Sequence, residues 1–510
     1  MLSRRDFQIG ADEVVINSDN FDRRNFGGLL KKAPNLLKLA SKGKGIYPGF
    51  IPLLSDVYSA LYKVKPLIKD EEVIDDLLRG NYQFMSQIMQ DSEFSSLRKD
   101  SIFDDLTSAL GTLHYGQELH GWIESKVEQD NELREQLAEA LKSQKELNKH
   151  KDQLEKANQD LNEDKAGASK RANNAQKKVE QKKNELQNTL QEINKRFSEA
   201  IQGDSSASFQ AALTQAAAKA KEENTLVQNL LSGAGIGSKD IQKVPLQEKL
   251  QLAEQLRKSS KFKNIAQWAG RFKSIAKKKR KTKVKESVER GGIIPGNDLE
   301  RLLPQEMMNF QHQSTRLDFL RRFVENETLM FEKSGKSEAG KGPIILCLDQ
   351  SGSMKGLDDQ SKGFTLAMAM IAKKEKRDFV YIPFDNRAIK KEYNKGKING
   401  DELILMATSF LGGGTKFYPA LNMSMEAIKT YKNADVLFVT DGEPSDRQKL
   451  IKHKNELLAF KKKHHVSIMS VLIGDHADKD AVEIFSDEIM SAKDFMDAQM
   501  MERAFNLNLK

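Results

Sequence analysis

The stretch Pro343-Ile344-Ile345-Leu346-Cys347-Leu348-Asp349-Gln350-Ser351-Gly352-Ser353-Met354 decides the fold of the last third of this chain. Residues 343–348 carry no charge and read as a strand buried on both faces. Immediately after it come a carboxylate and two hydroxyls within five positions, with Gly352 permitting a tight turn. Residues 379–384, 435–440 and 466–473 have the same buried-strand character, and helices are expected after Asp359, Phe417, Asp446 and Asp480. Strands alternating with helices predict an α/β doubly wound, Rossmann-like parallel sheet over residues 341–510. In such a sheet ligands gather beyond the carboxyl ends of the strands, beside a topological switch point. That is where Asp349, Ser351 and Ser353 fall.

Two later segments complete a set of oxygen donors. Gly412-Gly413-Gly414-Thr415 places a hydroxyl on a glycine loop that permits close approach, and Val439-Thr440-Asp441-Gly442 ends a buried strand on a carboxylate. Hard oxygen ligands of this kind suit Mg²⁺, with Mn²⁺ or Ca²⁺ as alternatives. Two carboxylates against a divalent cation leave a nearly neutral site whose water-filled positions admit an acidic residue of a partner.

Asp349, Ser351, Ser353, Thr415 and Asp441 together resemble the metal-ion-dependent adhesion site of von Willebrand factor A (VWA) domains, with its Asp-x-Ser-x-Ser, Thr and Asp. The resemblance implies that Asp349, Ser351 and Ser353 contact the ion directly or nearly so. Thr415 and Asp441 would bind it directly or through water. Residues 265–271 (Ile265 to Arg271), 296–306 (Gly296 to Glu306) and 340–356 (Gly340 to Gly356) are similar to the bacterial ViaA family of VWA proteins. That likeness covers about residues 260–510 and implies a MoxR-type AAA+ ATPase (RavA) as partner. The implied role is a cochaperone or adaptor that stimulates the ATPase and directs it to client complexes, including respiratory enzymes at the inner membrane; the alternatives are a coiled-coil scaffold attached to anionic membrane or nucleic acid through its basic helix, and the VWA subunit of a chelatase-like AAA+ machine.

Working outward, 510 residues exceed one core, and 38% hydrophobic with 30% charged residues lie below and above the usual ~45–50% and ~25%, so part of the chain is solvated helix or linker. Residues 1–125 read as an all-α domain of short helices punctuated by proline and glycine, with Leu53, Leu54, Val57, Leu61 and Val64 on one helix face. Residues 126–200 show heptad spacing at Leu147, Leu154 and Leu161, and again at Val179, Leu186 and Ile193. A break at 164–169 makes this a coiled-coil hairpin, one interrupted helix, or helices without a coiled-coil partner. Residues 201–340 read as a helical or linker region.

The formal charge of +9 is local. Residues 257–285 hold thirteen Lys and Arg and no Asp or Glu, which leaves −4 for the remainder. Phe262, Ile265, Trp268, Ala269, Phe272 and Ile275 form one apolar stripe on this segment, followed by Lys277-Lys278-Lys279-Arg280-Lys281. Three readings stand: the stripe packs inside the protein and the lysines are solvated; the helix meets an acidic protein or anionic lipid; or the basic run binds nucleic acid. Nucleic acid is the weakest of these, because the aromatics lie on the apolar stripe.

A single cysteine, Cys347, excludes an intramolecular disulfide framework and a Cys-rich metal site; on a buried strand it reads as inert core. With no apolar segment after Arg4 and Arg5 and no apolar run long enough to span a bilayer, a cytoplasmic protein is expected, with peripheral attachment at the inner membrane face as an option. Residues 335–342 space glycine and lysine like a phosphate loop, but Gly342 stands where a hydroxyl is needed and the segment enters a strand where it should leave one. Residues 475–480 read as a solvated rim loop, and Asp385 as a turn residue or part of the metal face. No Ser/His/Asp arrangement or His-Glu-x-x-His is present, which predicts a non-enzymatic role.

Overall fold

The computed structural model describes residues 4–7, 9–75, 78–162, 168–203, 206–233, 243–284, 290–299, 302–333, 342–429, 434–474 and 477–505. It divides into two compact units, 1–228 with 242–258, and 229–241 with 259–510.

The first unit is helical. Its bundle comprises α1 (Asn20–Lys32), α2 (Pro34–Lys44), α3 (Phe50–Tyr62), α4 (Arg79–Gln90), α5 (Ser92–Ser101) and α6 (Asp105–Gln129). Side chains of Asp19, Asp91 and Asp104 accept the first free backbone N–H groups of α1, α5 and α6, and Pro34 opens α2 where its missing N–H costs nothing. Leu53, Leu54, Val57 and Leu61 are buried as one face of α3, but the helix ends at Tyr62 ahead of Pro66, so Val64 lies beyond it and is 48% exposed. Two long helices follow, α7 (Asn131–Asn162) and α8 (Ala168–Gln202). Pairs Arg196 with Asp130, Gln136 with Glu192 and Lys182 with Glu146 set them antiparallel, so the heptad region is a hairpin within one chain. Leu147, Leu186 and Ile193 are buried in its seam, and Phe197 enters an aromatic cluster with Tyr47, Phe84 and Trp122. The hairpin is thereby anchored in the core of the bundle. Helices α9 (Ser206–Gly233) and α10 (Leu246–Lys258) complete the helices around this unit.

Beyond residues 229–233 at the end of α9, the second unit continues with α11 (Ser260–Val284), whose first turn is capped by Ser259. Within residues 201–340, expected as helical or linker, the structure places an antiparallel pair, β1 (Arg290–Gly296) with β2 (Thr328–Lys333), flanking α12 (Pro304–Gln311) and α13 (Arg316–Val324). Buried Glu306 holds this module together by receiving both Nη groups of Arg322 at 2.8 Å and the Leu329 N–H at 3.1 Å. No alternating pattern marks β1, which reads Arg-Gly-Gly-Ile-Ile-Pro-Gly and carries a register shift between Arg290 and Ile293.

The main sheet has six strands in the order β5-β4-β3-β6-β7-β8. They are β3 (Ile344–Asp349), β4 (Phe379–Phe384), β5 (Lys391–Tyr393), β6 (Asp435–Thr440), β7 (Ser467–Ile473) and β8 (Glu488–Ala492). All neighbours are parallel except β4 with β5, so the sheet is mixed at one edge. Strands β5 and β8 escape the sequence pattern because one is a three-residue edge strand with a single buried side chain, Tyr393, and the other is only partly buried. Alternate residues Ile345 and Cys347, Val380, Ile382 and Phe384, and Val436 and Phe438 form one core with Phe417, Leu421 of α16 (Tyr418–Ile428) and Leu457 of α18 (Lys454–His464). Between those two helices lies α17 (Arg447–Lys452), and α15 (Gly400–Thr408) precedes the glycine loop. Cys347 has no exposed surface, and burial pushes its thiol far above the ordinary range, which makes it inert.

Helix α14 (Asp358–Lys374) is buried nearly all round, because α11 covers the side turned away from the sheet. Phe262, Ile265, Ala266, Ala269, Phe272 and Ala276 of α11 are all buried, and Phe272 meets Phe364 edge-on with ring centroids 5.9 Å apart. Gly363 allows the close approach: a Cβ there would lie 2.5 Å from Trp268 Cβ and 3.0 Å from the Ala269 nitrogen. The apolar stripe of the basic segment is therefore used in packing and is not available to a lipid surface while α11 is seated. Lys277, Lys278, Lys279, Arg280 and Lys281 fall in the last turns of α11, where the side chains lie outside the described residues.

Candidate metal centre

The chain leaves β3 to build β4 on one side and later crosses to build β6 on the other, so β3 marks the switch point of the sheet. The parallel register pairs Leu348 with Val439, which sets Asp349 and Thr440 one rung further, at the carboxyl edge. Three loops meet there: 350–357 after β3, 409–417 before α16, and 441–446 after β6.

The loops are tied by backbone bonds. Gly412 N–H donates to Gln350 O (2.8 Å), Gly352 N–H to Gly413 O (2.9 Å), and Ser445 N–H to Thr415 O (3.0 Å). Gly412 adopts φ +73°, a conformation in which a side chain is strained, and so the glycine run is needed for this path. Asp446 adds a tie from the opposite direction, its carboxylate accepting the Phe417 and Tyr418 N–H groups (both 3.0 Å) at the start of α16.

The candidate oxygens are graded in exposure. Asp349 and Ser351 are buried, Thr415 and Asp441 are half-buried, and Ser353 is exposed at the rim. Ser351 Oγ and Ser353 Oγ are 3.0 Å apart, and Ser353 Oγ donates to Asp441 Oδ1 at 2.9 Å. Asp349 Oδ1 accepts the Ser351 N–H (2.8 Å), and its Oδ2 accepts the Thr440 hydroxyl (2.6 Å). Burial lifts Asp349 to about 6, against the pull of the Thr440 and Ser351 hydrogen bonds, and burial also raises Asp441. Both carboxylates are thus short of compensating positive charge.

The donor set fits a small hard cation. A Cβ on Gly442 would sit 3.4 Å from Thr415 Oγ1 and 3.9 Å from Ser353 Oγ, so glycine keeps open the ground between two of the hydroxyls. All five residues singled out in the sequence are brought to one edge of the sheet. Among the described residues no group of three or more His, Cys, Asp or Glu forms an alternative metal cluster. Of the rim segment 475–480, Asp475 and His476 lie outside the described residues, while Asp478 caps α19 (Lys479–Glu483) and Asp480 pairs with Arg447. Residues 335–341 also lie outside the described residues.

Two supporting residues were not legible in advance. Thr440 orients Asp349, and Gln350 reaches across to the buried Tyr381 hydroxyl (3.1 Å). Thr440 had a signal, since a hydroxyl at the end of an otherwise apolar strand invites a polar partner on the adjacent strand. Asp385 acts as a turn residue: its Oδ1 accepts the Arg387 N–H (2.9 Å), and its Oδ2 lies where a Cβ on Gly413 would be, 2.5 Å away.

The sheet order, with the Asp-x-Ser-x-Ser loop at the end of β3, Thr415 on the loop before α16 and Asp441 at the end of β6, gives the second unit a doubly wound α/β fold consistent with a VWA domain. No protein-family profile matches the chain. Over 492 residues it is 27% identical to the uncharacterized protein MJ0811 of Methanocaldococcus jannaschii, taking in 95% of this chain and 97% of that one. It is 37% identical over 198 residues to a second uncharacterized protein of that organism, MJ0077, covering 38% of this chain and half of the other. Similar solved structures include proximal thread matrix protein 1 of the mussel byssus, at 18% identity and TM-score 0.26 over 32% of this chain and 45% of that one. The same mussel protein with a zinc-occupied MIDAS motif is 17% identical with TM-score 0.26, over 33% and 45%. A von Willebrand factor type A structure from Catenulispora acidiphila is 13% identical with TM-score 0.26, over 35% and 44%. The chain thus spans less than half the length of each of these solved chains. Among the described residues no helix is long and apolar enough to cross a membrane.

Proposed function

We propose that this protein is a divalent-cation-dependent, protein-binding adaptor without catalytic activity of its own. Asp349, Ser351, Ser353, Thr415 and Asp441 would hold Mg²⁺, and a carboxylate of the partner would complete the coordination. The observation that carries this reading is the convergence of two under-compensated carboxylates and three hydroxyls on ground that Gly442 leaves clear, closed at the base and open at the rim. Hard oxygen donors with solvent-facing positions suit Mg²⁺, which keeps several exchangeable sites. A bound cation would turn a pair of acidic groups into an acceptor for a further acid.

The likeness of residues 260–510 to ViaA supports a MoxR-type AAA+ ATPase as the partner and a cytoplasmic location. The test is co-purification of the full-length chain with the MoxR-type ATPase of its own cell, in Mg²⁺ and in EDTA. Capture in Mg²⁺ that is lost in EDTA and in Asp349→Ala is expected. Capture unchanged by both treatments would remove the metal from the interaction, and no capture of the ATPase under either condition would remove the partner.

A further inference from the structure

Lys362 has no exposed surface, a rare situation for an ammonium. It lies one turn into α14, and its Nζ donates to Asp358 Oδ2 at 2.9 Å, Ala407 O at 3.0 Å and Ser409 O at 2.5 Å. Three donors meet three acceptors. Burial pulls Lys362 down to about 8, with the neighbouring Asp358 pulling the other way, so the ammonium persists at neutral pH.

The two carbonyls are informative by position. Ala407 is in the last turn of α15, and Ser409 stands just past its end, three residues before Gly412. From Ser409 to Lys416 the chain has no ladder or helix of its own. It is held at the far end by the Gly412 and Gly413 bonds to the Asp349 loop, and at the near end by Lys362. Phe410 and Leu411 lie between these holds, and the glycine run starts at the far hold and continues to Thr415; such a path has little preferred conformation unless it is fixed where it enters. Asp358 Oδ2 is shared with Lys261 of α11 at 2.5 Å, and that ammonium also lies 5.7 Å from the centre of the Phe410 ring. The same loop is therefore braced from two helices.

Stability alone does not account for a lysine here, because a buried ion pair is commonly no better than an apolar side chain of similar volume. What an apolar side chain lacks is the capacity to hold two carbonyls in place. We propose that Lys362 is the positioning residue of the Thr415 loop: by fixing Ala407 O and Ser409 O it sets where the glycine run leaves α15, and so places the Thr415 hydroxyl among the metal-site oxygens. This rests on the metal-site reading above.

The test compares full-length wild type, Lys362→Met and Asp349→Ala by Mg²⁺ calorimetry, denaturant unfolding without metal, and amide hydrogen exchange at residues 412–415 without metal. Lys362→Met is expected to weaken Mg²⁺ binding roughly 10- to 100-fold, as loss of an outer-shell partner does. It should speed exchange at 412–415 about tenfold or more beyond any change in the β-strands, a local opening that a general loss of stability would not produce. If wild type binds Mg²⁺ and Lys362→Met binds it equally well, the proposal is overturned. If wild type itself binds no Mg²⁺, the metal reading fails separately, and unchanged exchange at 412–415 then overturns the positioning role as well. Should Lys362→Met not fold, Lys362→Gln, too short to reach both carbonyls, is judged by the same criteria.

Discussion

Replacing Gly363 by alanine is a demanding test of how the second unit is built. A helical glycine in open surroundings gains up to ~1 kcal/mol on conversion to alanine. At Gly363 the new Cβ would lie 2.5 Å from Trp268 Cβ, 3.0 Å from the Ala269 nitrogen and 3.1 Å from the Trp268 carbonyl carbon. These atoms belong to the backbone of α11 or are fixed directly to it, so no rotamer change relieves the contact. The two helices must move apart by about 1 Å, which loosens the packing of Phe272 against Phe364 and of the buried alanines between them. Overpacking of this kind costs ~1–3 kcal/mol, so the net effect is a loss of about 1 kcal/mol where propensity alone gives a gain. Gly121 is the control, since it is helical, exposed and has nothing within 4 Å of its missing Cβ. Urea unfolding followed by tryptophan fluorescence separates the two effects, because the chain has two tryptophans, Trp122 in the first unit and Trp268 at the contact itself. In a Trp122→Phe background Gly363→Ala should lower the midpoint reported by Trp268, while Gly121→Ala, in the first unit, is read from Trp122 in a Trp268→Phe background. A gain of about 1 kcal/mol, like that expected for Gly121→Ala, would show that α11 is not seated on α14 and that its apolar stripe is free.

Other consequences concern pH and the support of the metal site. Asp56 in α3 has no exposed surface and accepts the N–H groups of Val15 and Ile16 at 2.9–3.2 Å; burial lifts its carboxyl to about 7, against the pull of those bonds and of Lys69. Between about pH 4 and 7 the folded carboxyl keeps a proton that the unfolded one has released, so folding takes up a proton and stability falls as pH rises, by at most ~4 kcal/mol over the window. Asp56→Asn keeps a carbonyl acceptor without the titration and should flatten the profile of the first unit in urea melts from pH 4.5 to 8; parallel profiles for the two proteins would exclude Asp56 as the source. Thr440→Val preserves shape but removes the hydroxyl that orients Asp349, and should cost ~1 kcal/mol of stability while weakening Mg²⁺ binding roughly 10- to 100-fold by calorimetry. Equal affinity would show that Asp349 is positioned without it.

Much of the second unit was legible because its signals are local. Residues 344–349 are apolar up to a terminal acid, and Asp349, Ser351 and Ser353 follow within one turn, so strand, edge and chemistry coincide in the chain. Thr415 and Asp441 could be added because each lies on a loop beside a strand or glycine run of the same kind. What stayed hidden was cooperative. Lys362 looks like an ordinary helical lysine until α11 covers α14 and α15 brings two carbonyls to it. The fate of the basic segment was equally undetermined, since an amphipathic stripe has the same spacing whether it faces lipid, a partner or its own neighbour. Gly363 decided it, through a contact almost a hundred residues away in the chain. The β1–β2 pair was missed because glycine and proline fill β1, and its partner strand lies beyond two helices. In the first unit the heptads marked α7 and α8, but only cross-helix pairs such as Arg196 with Asp130 show that the two helices turn back on each other.

The central claim is that five oxygen-bearing side chains at the edge of β3 and β6 form one divalent-cation site. Calorimetric titration of the metal-free full-length protein with Mg²⁺ tests it most directly, run beside Asp349→Ala. The account predicts one Mg²⁺ per chain for the wild type and none for the variant at the same concentrations, with the unfolding midpoint of the second unit raised by the metal only in the wild type. Binding of equal strength in both proteins, or no binding in either, would contradict it.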